Sequence, residues 1–180
     1  MEDRQKGQIL INTGKGKGKT TAALGMAIRA AGHGQKVLIL QFIKGAWKTG
    51  ESKFLERFTP EIEMAQLGTG FYKIEDGKVK VTKKDRQEAK KVFKIAGKKV
   101  LSGDYDLIVL DEIINILAYG LLEVRDLIKL LKEKPQKTSV VLTGRGAHGE
   151  LIDIADTVSE IKEIKHVYSK GIKAKKGIEY

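Results

Sequence analysis

The chain predicts a three-layer α/β domain on a mostly parallel central sheet, and three observations carry that expectation. Strand-like and helix-like segments alternate along all 180 residues, the pattern of strands joined by crossover helices. Runs such as "KVLILQF" (36–42) and "LIVLD" (107–111) are short and continuously apolar, which suits strands covered on both faces. The stretch "ILINTGKGKGKTTAALG" (9–25) passes from an apolar strand through glycines and lysines into an alanine-rich helix. No linker divides the chain and no internal repeat appears, so one domain over 1–180 is expected.

Residues 8–12 read as a short buried strand. A helix follows from about Lys19 to Ala31, with Ala22, Ala23, Leu24, Met26, Ala27 and Ala30 as a broad apolar surface, and "GHG" (32–34) ends it with turn formers that include His33. Residues 36–42 are a central parallel strand, and the three pieces make a βαβ unit with a right-handed crossover. "KGAWKTG" (44–50) is a loop, 51–58 a helix and 61–67 another strand. The segment 68–85 has glycine turns and no strong period, and is either a loop or a small hairpin. From Asp85 to about Leu101, Ala89, Val92, Phe93, Ala96 and Val100 recur at helical spacing over a basic outer face. The strand 105–112 comes next, then two helical pieces over 113–133 with a break near Gly120. A strand at 138–144, a short helix at 149–156 and a last candidate strand in "TVSEIKEI" precede a glycine-containing tail.

Hydrophobic residues make up 41% of the chain, more than disorder allows. There is no cysteine, which excludes disulfides and thiolate metal sites. His148 and His166 lack zinc-like spacing, so no zinc site is expected. No apolar run is long enough to span a membrane, and residues 1–8 are too short and polar for a secretory signal. A cytoplasmic protein without membrane partners is the expectation. The net charge of +11 favours anionic partners, although lysine-rich solvated helix faces account for it equally well.

The chemistry is concentrated in the glycine–lysine loop. Gly18, Lys19 and Thr20 match the end of the phosphate-loop pattern G-x-x-x-x-G-K-[ST], but Thr13 stands where its first glycine belongs. Gly14 and Gly16 lie inside the loop and let backbone amides turn inward toward a polyphosphate at the start of the helix. Lys19 is placed to reach terminal phosphates, Thr20 to put its hydroxyl on magnesium or manganese, and Thr21 to touch another phosphate oxygen. Asp111, at the carboxyl end of a buried strand, is the partner for the metal or for Thr20. Glu112 is open to three readings: it activates water, supports the metal, or is the first acidic residue of a helix. In "VVLTGRGAH" (140–148), Arg145 follows a strand and can reach the same crevice. The predicted fold is thus that of P-loop NTPases, of RecA-like type.

Several segments together resemble a known family. They are "TGKGKGKTTAALGMAIRAAGHG", "ILQFIKGAWKTGE", "LIVLDEIINILAYGLL" and "VVLTGRGAHGELIDIADTVSEIKEIKHVYSKGIKAKKGIEY". Their order and content are similar to the P-loop type ATP:corrinoid adenosyltransferases, which act on cob(I)alamin or cob(I)yrinic acid a,c-diamide in cobalamin biosynthesis and salvage. The resemblance implies transfer of the 5′-deoxyadenosyl group of ATP to Co(I) of a reduced corrinoid, with inorganic triphosphate leaving whole. It carries Lys19, Thr20, Thr21, Asp111, Glu112 and Arg145 over as site residues, with Lys15 and Lys17 as added charge beside the loop. Phe71, followed by Tyr72, stands at the family's corrinoid-facing aromatic, with Lys73 where some relatives have tryptophan. Trp47 either lines the cleft or caps the core. The resemblance further implies a homodimer and an external electron donor, since no flavin or iron–sulfur motif is present. A P-loop ATPase acting on nucleic acid is the alternative. It gains from the charge and the Asp111–Glu112 pair, but the sequence offers no helicase motif, zinc finger or aromatic single-strand platform. A small-molecule kinase would want an arginine-rich lid, and only Arg29, Arg57 and Arg86 lie between the loop and Asp111.

Overall fold

The apolar runs become the strands of a parallel sheet. The computed structural model describes residues 6–43, 49–57, 61–68, 70, 72, 74, 75 and 78–178. In chain order these form β1 (Ile9–Thr13), α1 (Lys19–Gly32), β2 (Val37–Gln41), α2 (Gly50–Leu55) and β3 (Ile62–Gln66). Then come the two-residue strands β4 (Ile74–Glu75) and β5 (Lys78–Val79), α3 (Lys83–Leu101), β6 (Leu107–Asp111), α4 (Ile113–Ala118) and α5 (Val124–Glu133). The chain continues through β7 (Ser139–Thr143), α6 (Gly149–Ile154), β8 (Thr157–Glu160) and a 3-10 turn at Val167–Lys170. The main sheet has six strands in the order β3-β2-β6-β7-β1-β8, every pairing parallel.

Side chains on a strand alternate between faces, and here the alternation sorts two apolar clusters. Leu38 and Leu40 of β2, with Ile108 and Leu110 of β6, join Ala96 of α3, Ile113 of α4, Leu127 of α5 and Leu151 of α6. Val37 and Ile39, with Leu107 and Val109, join Ala23, Ala27 and Ala30 of α1 and Leu55 of α2. Helices therefore cover both faces of the sheet. Alanine at the α1 contact positions lets that helix lie close over the strands.

The structure adds the strand order to the βαβ unit and shifts two helix boundaries. β1 and β2 belong to one sheet but are not neighbours, because β6 and β7 lie between them; α1 crosses over the intervening strands. α2 starts at Gly50, where the Thr49 hydroxyl accepts from the Ser52 amide at 3.4 Å, and it ends at Leu55 rather than 58. α3 starts two residues before Asp85 because Thr82 and Asp85 form a capping box. The Thr82 amide donates to Asp85 Oδ2 at 2.8 Å and the Asp85 amide to Thr82 Oγ1 at 3.2 Å. The segment 68–85 holds the small antiparallel pair β4–β5. No helix among the described residues is long and apolar enough to cross a membrane.

Burial separates central from edge strands and makes a stability prediction. Leu110 is fully buried, whereas Val158 on edge strand β8 is 38% exposed. Urea unfolding of Leu110→Ala is expected to show a loss of about 2–5 kcal/mol, and of Val158→Ala less than about 1 kcal/mol.

Candidate functional site

The same alternation that builds the core places a polar row at the carboxyl end of the sheet. Gln66, Gln41, Asp111, Thr143, Asn12 and Ser159 stand one per strand on the α1 side. Gln41 is in register with Gln66 and with Asp111, and Asn12 with Thr143 and Ser159. The centre of the row is hydrogen-bonded. Gln66 Nε2 donates to Gln41 Oε1 at 3.2 Å, and Gln41 Nε2 to Asp111 Oδ2 at 3.0 Å. Thr143 Oγ1 donates to Asp111 Oδ1 at 2.7 Å while accepting from the Glu112 amide at 2.8 Å. Thr20, at the start of α1, donates to the same Asp111 Oδ1 at 2.8 Å. Asp111, Gln41 and Thr143 are all buried, and Asn12 Nδ2 is buried without a hydrogen-bond partner.

The loop between β1 and α1 is packed against the chain that leaves β8. The Ile161 amide donates to the Thr13 carbonyl and the Gly16 amide to the Ile161 carbonyl, each at 2.8 Å. Gly14 has φ +105, and a Cβ there would strike the Ile161 carbonyl oxygen, so glycine is required. The Gly16 amide is thereby spent on the protein itself. Thr13, the departure from the phosphate-loop pattern, uses its hydroxyl to accept from the Ala147 amide at 3.2 Å. It ties the loop to the segment that carries Arg145. Lys17 Nζ donates to the Ile178 carbonyl, and Lys19 Nζ to the Gly16 carbonyl at 2.6 Å.

Glu112 caps α4 at φ 67, the one left-handed non-glycine residue among the described residues. Its side chain makes no capping bond to the helix. Asn115 Nδ2 donates to the Glu112 carboxylate instead, and Asn115 Oδ1 accepts from the Arg145 amide. Glu112 thus stands at the start of α4, as the helix-end reading expects, with its carboxylate bonded by Asn115. Strain of this kind collects at functional sites.

These groups face one cleft of about 520 Å³, lined by Lys17, Gly18, Lys19, Thr20, Thr21, Leu24, Gly50, Glu51, Glu112, Asn115, Arg145, Gly177 and Ile178. Burial lowers the Lys19 ammonium from its ordinary pKa and Arg145 lowers it further, while Glu112, Asp111 and Glu163 act in the opposite sense. A crowded positive cleft with a flanking carboxylate pair is suited to a polyphosphate and a hard divalent cation. The Thr20 hydroxyl and Asp111 carboxylate are oxygen donors of the kind magnesium takes, with phosphate and water completing its shell. Among the described residues no cluster of three or more His, Asp or Glu could hold a metal by itself.

Of the residues singled out from sequence, Lys17, Gly18, Lys19, Thr20, Thr21, Glu112 and Arg145 line the cleft, and Asp111 lies beneath it. Lys15 is exposed outside its lining. Tyr72 is half-buried elsewhere, edge-on to Tyr119 with ring centroids 5.9 Å apart. Trp47 and Phe71 lie outside the described residues. The histidines have local tasks: His33 ends α1, and His148 Nδ1 accepts from the Glu150 amide at 3.4 Å. Gln41, Thr143 and Asn115 were missed. Each reads in sequence as a polar residue beside an apolar run, and only the strand register and the Gly144 turn bring them to the site.

Comparison with known proteins gives a family. The model of "ATP:corrinoid adenosyltransferase BtuR/CobO/CobP" matches residues 5–180. The corrinoid adenosyltransferase of Escherichia coli K12 is 39% identical over 176 residues, covering 98% of this chain and 87% of its own. That of Pseudomonas aeruginosa is 40% identical over 177 residues, covering 98% and 85%. Corrinoid adenosyltransferase CobA of Salmonella typhimurium is 40% identical over 181 residues, covering 98% and 87%.

Lys19 gives a signed pH prediction. Its folded pKa lies below the ordinary 10.5, so the unfolded state holds the proton more tightly. The resulting destabilisation is fully present below the folded pKa and fades as pH rises through it toward the unfolded value. Thermal melts of Lys19→Met without nucleotide are expected to equal or exceed the native melting temperature near pH 7. That advantage closes as pH approaches 10.5.

Proposed function

The chain belongs to the ATP:corrinoid adenosyltransferase family, and from that membership we propose how its own residues carry the reaction. ATP:corrinoid adenosyltransfer, in cobalamin biosynthesis or salvage, is the activity of the protein. The Co(I) of a reduced corrinoid attacks the ribose C5′ of ATP. A Co–C5′ bond forms from the cobalt electron pair, and the C5′–O bond breaks. That bonding pair leaves with inorganic triphosphate, and cobalt ends as Co(III). No phosphoryl group moves and no water need be activated, so the loop serves a leaving group rather than a hydrolysis.

One observation carries the assignment of roles: the Thr20–Asp111–Thr143 bonding and the Lys19 and Arg145 cations meet at a single cleft. Lys19, Thr21, Arg145 and loop amides hold the triphosphate. Preorganised cations and amides of this sort stabilise charge that grows on a leaving group. Thr20 and Asp111, with Glu112 beside them, would hold magnesium or manganese, which neutralises triphosphate charge when bound. Asn115 holds Glu112 and the Arg145 backbone together, so the acidic and basic sides of the cleft keep a fixed relation. Phe71, Tyr72 and Trp47 are assigned to the corrinoid side.

The wider reading follows the family. The chain is one RecA-like P-loop domain over 1–180 that works in the cytoplasm as a homodimer. It receives electrons from an external donor, because it has no cysteine for an iron–sulfur centre.

Phosphorus NMR of the turnover mixture tests the reaction. With ATP and chemically reduced corrinoid, intact triphosphate is expected to accumulate in step with adenosylated corrinoid. Orthophosphate release stimulated by DNA would support the nucleic-acid ATPase instead. Arg145→Ala is expected to lower kcat/KM by about 10²-fold or more, the usual cost of one such donor.

A further inference from the structure

We propose that Gln66 and Gln41 form a positioning relay that fixes how Asp111 presents its carboxylate, so that cation binding is tuned from the edge strand of the sheet. This rests on the reading of Asp111 as a cation residue and adds two residues that do not line the cleft.

The chemistry of the groups determines the direction of the relay. An Asp111 carboxylate only accepts hydrogen bonds, so the Gln41 amide must turn its NH₂ toward it. Gln41 is fully buried, and its Oε1 then needs a donor. Gln66 Nε2 supplies one at 3.2 Å. If Gln66 could not donate, little would prevent the Gln41 amide from turning over and setting its carbonyl against the carboxylate. On the other side, Thr143 Oγ1 accepts from the Glu112 amide, so its proton is directed to Asp111 Oδ1. Asp111 Oδ2 is thus held by Gln41 and Oδ1 by Thr143. The carboxylate cannot rotate without breaking one of them, and Oδ1 also accepts from the Thr20 hydroxyl, whose oxygen lone pairs are left for a cation.

The relay is separable from the fold. Gln66 sits half-buried on β3, an edge strand, and its bond toward Asp111 runs through Gln41. Partners that orient a metal ligand typically govern metal affinity by 10–100-fold, roughly. A merely structural glutamine pair would change stability and leave that affinity alone.

The test compares ATP affinity by calorimetry in EDTA and in saturating magnesium chloride, for the native protein, Gln66→Leu, Gln41→Met and Asp111→Asn. In the relay variants the metal-free affinity is expected to stay within about twofold, which also reports an intact loop. The gain conferred by magnesium is expected to fall by about tenfold in Gln41→Met, and by a smaller factor in Gln66→Leu. In Asp111→Asn the gain should vanish. If it vanishes there but is unchanged in Gln66→Leu, the relay is overturned and the cation assignment stands; this holds even if buried Gln41→Met fails to fold. If Asp111→Asn keeps the full gain, the assignment of Asp111 to the cation falls, and the relay with it. The adenosyltransfer reading does not depend on either result, since triphosphate release tests it separately.

Discussion

The buried Asp111 carboxylate is the constraint on which the rest of the structure depends. A carboxylate removed from water costs several kcal/mol unless its oxygens are met by donors. Here the donors come from β2, β7 and the first turn of α1: Gln41, Thr143 and Thr20. These bonds fit one register of two neighbouring strands and one seat of a helix, the register that the apolar alternation on both faces of the sheet already sets. A one-residue slip of β2 would carry Gln41 to the opposite face and leave Asp111 Oδ2 without its partner.

The cleft above this constraint is where the protein departs from restful packing. Lys19 and Arg145 lie close enough to oppose each other's charge, and Glu112 is held in a left-handed conformation. Both features cost stability in the protein alone. Gly144 adds a geometric requirement: at φ +145, a Cβ would meet Ile114 Cβ at 2.7 Å. The tight turn that follows brings the Arg145 amide to Asn115.

Much of this was legible in the sequence, for definite reasons. Strands such as 107–111 show themselves because burial on both faces demands unbroken apolar runs, and α1 because its alanines recur on the covered side. The loop from Thr13 to Thr20 is a local pattern and needs no tertiary knowledge. What failed to show was set by strand order. β1 and β2 read as one βαβ unit because they are consecutive, but nothing local shows that β6 and β7 enter between them. Gln41 read as the polar end of an apolar run. Its meaning depends on standing opposite both Gln66 and Asp111, which no periodicity reveals. β8 was a weak candidate because its side chains are exposed, and its identity as a strand comes from backbone pairing with β1. The resemblance to the adenosyltransferases, by contrast, rested on whole segments, and the family match from residue 5 to residue 180 agrees with it.

The most direct measurement is the anomalous scattering of manganese in crystals grown with ATP and Mn²⁺. The expected peak lies between the Thr20 hydroxyl, the Asp111 carboxylate side and the phosphate chain, with Lys19 and Arg145 on the same phosphates. A peak away from Thr20 and Asp111, or a triphosphate outside the cleft they floor, would contradict the assignment of this loop as the leaving-group site.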